Sequence, residues 1–336
     1  MTTLESVWLA VLGLLLAGYF VLGGYDYGVQ MLHHRLGREE SGRRAAISAM
    51  GPFFLGNEVW LVAFTGVLFG AFPHLEGSLL SGLYPLIVAI LVGLVVGNTA
   101  VQLRGRARGE RSRRVWDMLT VVGGGLPALC WGLVLGLLLH GVPRRADGTF
   151  HVGPAEVFAP FTLLCGVGAA LLFAAHGAAF LALRSEGGLA ERARAAALRL
   201  LGAFAVAGLL AVLLSVAGAG ASVTNPVAAA AVTAVLALAL AAAWRSLAAG
   251  RAGRAFAATC LAAALPVLLV GAGHYPYLLA SSAGHGLTVS RSAADGATLK
   301  LLLAFGVVLI PLILLYQAWS WWMFRGRTGR RHPAYF

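Results

Sequence analysis

Nine stretches of mainly apolar residues, each near the roughly 20 that an α-helix needs to cross a hydrocarbon layer, run the length of this chain. They lie at about 6–32, 45–71, 78–103, 115–140, 157–183, 197–218, 226–244, 255–274 and 297–324, with no long polar segment between them. Windows of this length read as membrane helices. The expected fold class is an all-α integral membrane protein of about nine transmembrane helices, a single transmembrane domain over residues 1–336. Composition agrees: 59% of residues are hydrophobic and 11% charged, against about 45–50% and 25% in soluble domains.

The formal net charge of +12 invites a nucleic-acid reading, but the placement of the charges excludes it. Arg35, Arg38, Arg43 and Arg44 fall in the first connection, and Arg104, Arg106, Arg108, Arg111, Arg113 and Arg114 in the third. Arg184, Arg192, Arg194 and Arg199 lie in or beside the fifth, Arg245, Arg251 and Arg254 in the seventh, and Arg325, Arg327, Arg330 and Arg331 in the tail. Only Arg144, Arg145, Arg291 and Lys300 lie at the opposite ends, so twenty-one of twenty-five cations share one face. The positive-inside rule makes that face cytoplasmic, with the N-terminus outside and the C-terminus in the cytoplasm. The charge excess is a topology signal.

The first apolar segment has no basic leader, carries Glu5, and exceeds the 7–15 apolar residues of a signal peptide core, so it is expected to stay as a helix. Cys130, Cys165 and Cys260 sit singly in three spans without metal-ligand spacing, and no metal site is expected. The stretch 195–272 is mainly Ala, Leu, Val and Gly, and such helices pack through small-residue contacts. Polar, aromatic and histidine residues inside spans concentrate before residue 185, which places any chemistry in helices 1 to 4 and, at most, 5. Trp319, Trp321 and Trp322, followed by arginines, read as an interfacial anchor.

Two acids lie deep within spans. Asp26, in GGYDYG, is about nine residues from the first arginine of its end, hence roughly 13 Å into the membrane. Glu58, in GPFFLGNEVW, is about 14 residues beyond Arg44, hence roughly 20 Å in. An ionisable group at such depth costs about 2.5–3.5 kcal/mol on insertion scales and usually marks function. Two acids on adjacent antiparallel helices suit a proton ladder, with Asn57 orienting Glu58; the competing reading gives each acid one structural hydrogen bond. Trp60 is a weak lining candidate. His176 is the one histidine far inside a span, a weak proton-carrier candidate against the plainer reading of a hydrogen-bonded bundle residue. With no second deep histidine, a haem held wholly by this chain is not expected.

The series GGYDYGVQML, RRAAISAMGPFFLGNEVWLVAFTGVLFGAFP and SGLYPLIVAILVGLV resembles the first three helices of subunit II of cytochrome bd-type quinol oxidases. LVLGLLLHGVP, LLFAAHGAAFLALRSEG and VVLIPLILLYQAWSWWMF are similar to the ends of that family's fourth, fifth and ninth helices. The resemblance implies two four-helix bundles (helices 1–4 at about 6–140 and 5–8 at about 157–274) plus a peripheral helix 9 at about 297–324. It implies a bacterial cytoplasmic membrane location, a homologously folded subunit I that binds quinol and carries haems of b and d type, and a small single-helix subunit. The complex would oxidise quinol and reduce dioxygen to water, with acids of subunit II lining a proton path. Asp26 and Glu58 match family positions. Two positions depart: Gly23 stands where the family has an acid, and Leu55 where it has the aspartate most readily assigned to the path. Two rival readings stay open, a degenerate scaffold paralogue that conducts no protons and a small-solute or ion transporter coupled through Glu58.

Overall fold

The first helix starts where its own side chains satisfy its free amides: Thr2 Oγ1 accepts from Glu5 N, and Glu5 Oε2 accepts from Thr2 N. The computed structural model describes residues 1–145, 147–282 and 284–327. Among them are nine helices long and apolar enough to cross a membrane. In chain order they are α1 (Thr3–Leu36), α2 (Glu40–Ala71), α3 (Tyr84–Leu103), α4 (Glu110–His140), α5 (Pro160–Arg184), α6 (Gly187–Val216), α7 (Pro226–Ala248), α8 (Ala252–His274) and α9 (Gly296–Met323). Proline or glycine punctuates most junctions, with Pro160 and Pro226 at the first helical position, where a missing N–H costs nothing.

The helices form two groups of four plus a peripheral helix, as expected, but the two groups are closed to different degrees. α5, α6, α7 and α8 close a ring, each packed on the next and α8 back on α5. The first four lie as an open row, α2 on α1, α1 on α4 and α4 on α3, while α2 and α3 barely touch. A ten-residue helix, Pro73–Gly82, is inserted between α2 and α3. α1 is the hub, packing on α2, α4, α5, α8 and α9. α9 is peripheral: it leans chiefly on α2, and Leu301, Phe305, Val308 and Leu315 face outward.

Glycine lets the hub close. A Cβ on Gly28 of α1 would lie 2.7 Å from Gly177 Cα of α5, so the two backbones touch with no side chain between them. The apolar side chains around this crossing, among them Phe20, Phe173 and Trp131, pack edge to face.

One expectation of a purely helical chain needs amendment. Between α8 and α9 the structure has an antiparallel hairpin, β1 (Tyr277–Ser281) with β2 (Gly284–Thr288). Val142 N, just after α4, donates to Ala280 O of β1, and Ala294 N donates to Ala71 O, which ties this connection to the ends of α4 and α2. The segment lies beyond the hydropathy windows and is too short to give a period of its own. His285 falls in β2, and His332 lies outside the described residues.

Candidate functional site

The polar centre of the molecule is built by three helices. α1 contributes Tyr25 and Asp26, α2 contributes Asn57, Glu58 and Trp60, and α9 contributes Gln317. Asn57 Nδ2 donates to Asp26 Oδ2 (2.8 Å), to Tyr25 Oη (2.7 Å) and to the carbonyl of Leu22 (3.3 Å). Gln317 Nε2 donates to Asn57 Oδ1 (3.2 Å), and Trp60 Nε1 donates to Gln317 Oε1 (3.4 Å). Tyr25, Asp26, Asn57, Trp60 and Gln317 are all buried. Asp26 keeps one carboxylate oxygen, Oδ1, buried with no donor among the described residues. A buried acceptor without a donor is costly, and such an atom calls for a proton or a water.

Asn57 therefore serves Asp26 and not Glu58, which corrects the expected pairing. Adjacent residues on a helix point about 100° apart, so Asn57 and Glu58 cannot both face α1. The difference in depth suggested by counting from the arginines does not keep α2 from Asp26, because Asn57 reaches it directly. Side chains lean toward their own helix N-terminus. On antiparallel α1 and α2 the lean brings Asp26 and Asn57 toward each other.

Glu58 is half-buried, and none of the described residues hydrogen-bonds its carboxylate. Asp26 shares α1 with the phenols of Tyr19 and Tyr27. Those two phenols are buried and hydrogen-bonded to each other. On its other side Glu58 adjoins an outward face of α2, where Leu55 is 58% and Val62 71% exposed. The acid thus stands between the polar centre and an open apolar face.

Both departures from the family pattern have a visible outcome. A Cβ on Gly23 would fall 2.8 Å from Tyr19 Cε2, so the tyrosine ring occupies the room an acid would need. Leu55 points outward from α2, on the face it shares with Glu58.

His176 and His33 are committed elsewhere. His176 Nε2 donates to Val21 O (2.9 Å) and Nδ1 pairs with the Thr259 hydroxyl (2.8 Å), joining α5 to α1 and α8, with Phe256 stacked on the ring. His33 Nδ1 lies 2.8 Å from Gln30 O and Nε2 3.0 Å from Asp117 Oδ1. The rings of His176 and His33 have no nitrogen left for an iron, so these two residues do not fit a haem; His274, buried at the end of α8, engages Leu139 O through Nε2. Trp60 is both a network donor and a packing residue, its ring lying against Gly18.

Two features escaped the sequence reading. Gln317 sits in a tryptophan-rich helix end that reads as an anchor, and its partners lie some 260 positions away. The second is an ion network at the arginine-rich face. Asp117 Oδ1 accepts from Arg104 Nε (2.5 Å) and Oδ2 from Arg43 Nη1 (3.0 Å), while Glu40 accepts from both Arg104 terminal nitrogens (3.0 and 2.9 Å). A lone acid two residues into a span, following six arginines, was the available signal for Asp117.

Residues 4–324 match the family described as cytochrome bd terminal oxidase subunit II. Cytochrome bd ubiquinol oxidase subunit 2 of Bacillus subtilis (strain 168) is 31% identical over 340 residues, covering 99% of each chain. Cytochrome bd-I ubiquinol oxidase subunit 2 of Escherichia coli (strain K12) is 31% identical over 363 residues, covering 97% of this chain and 96% of its own. In fold the chain is similar to one in the structure of bd oxidase from Geobacillus thermodenitrificans, with a TM-score of 0.73 at 22% identity over 96% of this chain and 99% of that one.

Proposed function

This chain belongs to the family of cytochrome bd terminal oxidase subunit II, and on that premise we propose that it carries protons for a quinol-oxidising, dioxygen-reducing complex through Asp26 and Glu58. The observation behind this is the pairing of a fully buried carboxylate that has one donor-free oxygen with a second acid at the edge of an open helix face. Proton transfer needs an acid that can be neutral in the interior and exchange with a neighbour. Asn57 holds one oxygen of Asp26 and leaves the other for the exchange; Gln317 and Trp60 hold Asn57 in turn.

In this reading the haems of b and d type and the quinol site lie in a homologously folded subunit I, in accord with the engaged histidines of this chain. The outward face of α2 beside Glu58 is where the partner receives the proton. The arginine-rich face is cytoplasmic, the N-terminus is outside, and the membrane is the bacterial cytoplasmic membrane. A small single-helix subunit and bound lipid complete the assembly. The full-length relationship to oxidase subunits favours this over a transporter coupled through Glu58.

Glu58→Gln keeps shape and removes the exchangeable proton. In the purified complex, with its haem spectrum unchanged, it is expected to slow quinol oxidation at least tenfold. Unchanged turnover would refute the route and leave this subunit a scaffold for its partner.

A further inference from the structure

The hydrogen bonds that lead from Trp60 to Asp26 all run one way. Trp60 Nε1 donates to Gln317 Oε1 (3.4 Å), Gln317 Nε2 donates to Asn57 Oδ1 (3.2 Å), and Asn57 Nδ2 donates to Asp26 Oδ2 (2.8 Å). Each amide accepts on its oxygen and passes a donor on from its nitrogen.

The head of this series has no choice of role. An indole N–H donates and never accepts, so it must face an oxygen. That fixes Gln317 with Oε1 toward Trp60 and Nε2 toward Asn57. The amide nitrogen of Gln317 likewise only donates, which fixes Asn57 with Oδ1 toward α9 and Nδ2 toward α1. Turning either amide over would set N–H against N–H, or oxygen against oxygen, inside a buried cluster, where each unpaired group is costly.

The other end does not hold this direction once Asp26 carries a proton. A neutral carboxyl and the Tyr25 phenol both donate and accept, so each can pair with either side of the Asn57 amide. The carbonyl of Leu22, which only accepts, is the longest of the three Asn57 Nδ2 contacts at 3.3 Å. With Asn57 reversed, its Oδ1 would accept from a proton on Asp26 Oδ2 and hold it there. With Asn57 as it stands, Oδ2 meets a donor and is favoured as the carbonyl oxygen. The proton then sits on Oδ1, the oxygen with no donor among the described residues.

We propose that Trp60 is a positioning residue which, through Gln317 and Asn57, fixes the direction of this series and so confines the exchangeable proton of Asp26 to Oδ1. This rests on the proton role of Asp26 above. No N–H bond in the series breaks; only the proton on Oδ1 is exchanged. The peripheral helix α9 thereby acts on a carboxyl group of α1 that it does not itself hydrogen-bond. One neutral hydrogen bond biases an orientation of this kind about two- to tenfold.

The test uses the purified complex and the infrared carbonyl band of protonated Asp26, identified by its loss in Asp26→Asn. Trp60→Phe removes the indole donor, and Gln317→Met removes the amide at similar length. Each is expected to split or move the band, as part of the carboxyl comes to donate through Oδ2, and to slow quinol oxidation about two- to tenfold at unchanged haem content. The double variant should match Gln317→Met in band position, since Trp60 reaches Asn57 through Gln317. A band that stays in place in both single variants overturns the proposal, whatever the turnover. If Asp26→Asn and Glu58→Gln leave turnover unchanged, the proton route falls, and the band alone still decides whether Trp60 sets the direction. The Trp60 ring also packs on Gly18. Should Trp60→Phe not assemble, benzothienylalanine in place of Trp60 keeps the ring shape and replaces N–H by sulfur: a moved band supports the proposal and a fixed one overturns it.

Discussion

Asp117→Asn tests how the arginine-rich end is held together. The carboxylate is the shared acceptor of Arg104, Arg43 and His33, and both its side chain and that of Arg104 are only 4% exposed. The neutral amide keeps the volume but removes the charge, and its NH2 group turns donors toward arginine donors. Arg104 is then left with Glu40, whose side chain is 35% exposed. Removing one partner of a buried ion pair typically costs about 3–5 kcal/mol because the other charge stays buried. For a chain of 336 residues that corresponds to a fall of about 4–7 °C in the thermal midpoint. Glu40→Gln touches the same arginine from the wetter side, and an exposed pair contributes about 0–1 kcal/mol, hence about 1.5 °C or less. Both variants would be compared with the parent as purified complexes at one scan rate, because membrane complexes unfold irreversibly. Equal shifts for the two variants, or a shift below about 3 °C for Asp117→Asn, would refute the assignment of Asp117 as the buried centre of the network.

Gly28→Val places a branched side chain where the α1 and α5 backbones touch, with Gly177 Cα 2.7 Å from the new Cβ. Overpacking of this kind costs about 1–3 kcal/mol or more, so reduced assembly on gel filtration is expected, whereas Gly13→Ala, which meets nothing within 4 Å, should be silent. Asp295 caps α9, and its hydrogen bonds from the Thr298 hydroxyl and from Thr298 N and Ala297 N hold its carboxyl below the ordinary carboxylate range. A depressed folded-state pKa stabilises above the unfolded value of about 3.9 and loses the effect as pH falls through the folded one. Protection from hydrogen exchange at the start of α9, relative to the intrinsic rate at each pH, should therefore fall below about pH 4 in the parent, and be low and insensitive to pH in that range in Asp295→Ala.

Hydropathy alone made the nine helices legible, because a hydrocarbon layer demands about twenty apolar residues per crossing whatever the helices pack against. The same local reasoning singled out Asp26 and Glu58, since a charge in an apolar window is conspicuous without any structure. It failed where position depends on neighbours far along the chain. Asn57 was paired with the acid beside it in sequence, while helix geometry turned it toward Asp26 on α1. Gln317 looked like part of an interfacial anchor because nothing local distinguishes a tryptophan belt from a helix end folded back on α2. His33 and Asp117, 84 positions apart, meet only because α1 and α4 pack side by side.

Gly23 and Leu55 show the division most clearly. The sequence alone settled that this chain lacks two acids of the family pattern it otherwise follows, and that its cations gather on one face, because side-chain identity and spacing carry that information directly. What those losses leave behind was decided by tertiary packing. The side-chain space at Gly23 is filled by the ring of Tyr19, which hydrogen-bonds Tyr27, and Leu55 turns outward. A residue's type travels with the chain, but the company it keeps depends on how close the helix backbones come, and glycines set that distance from both sides where α1 meets α5, α3 meets α4 and α4 meets α5.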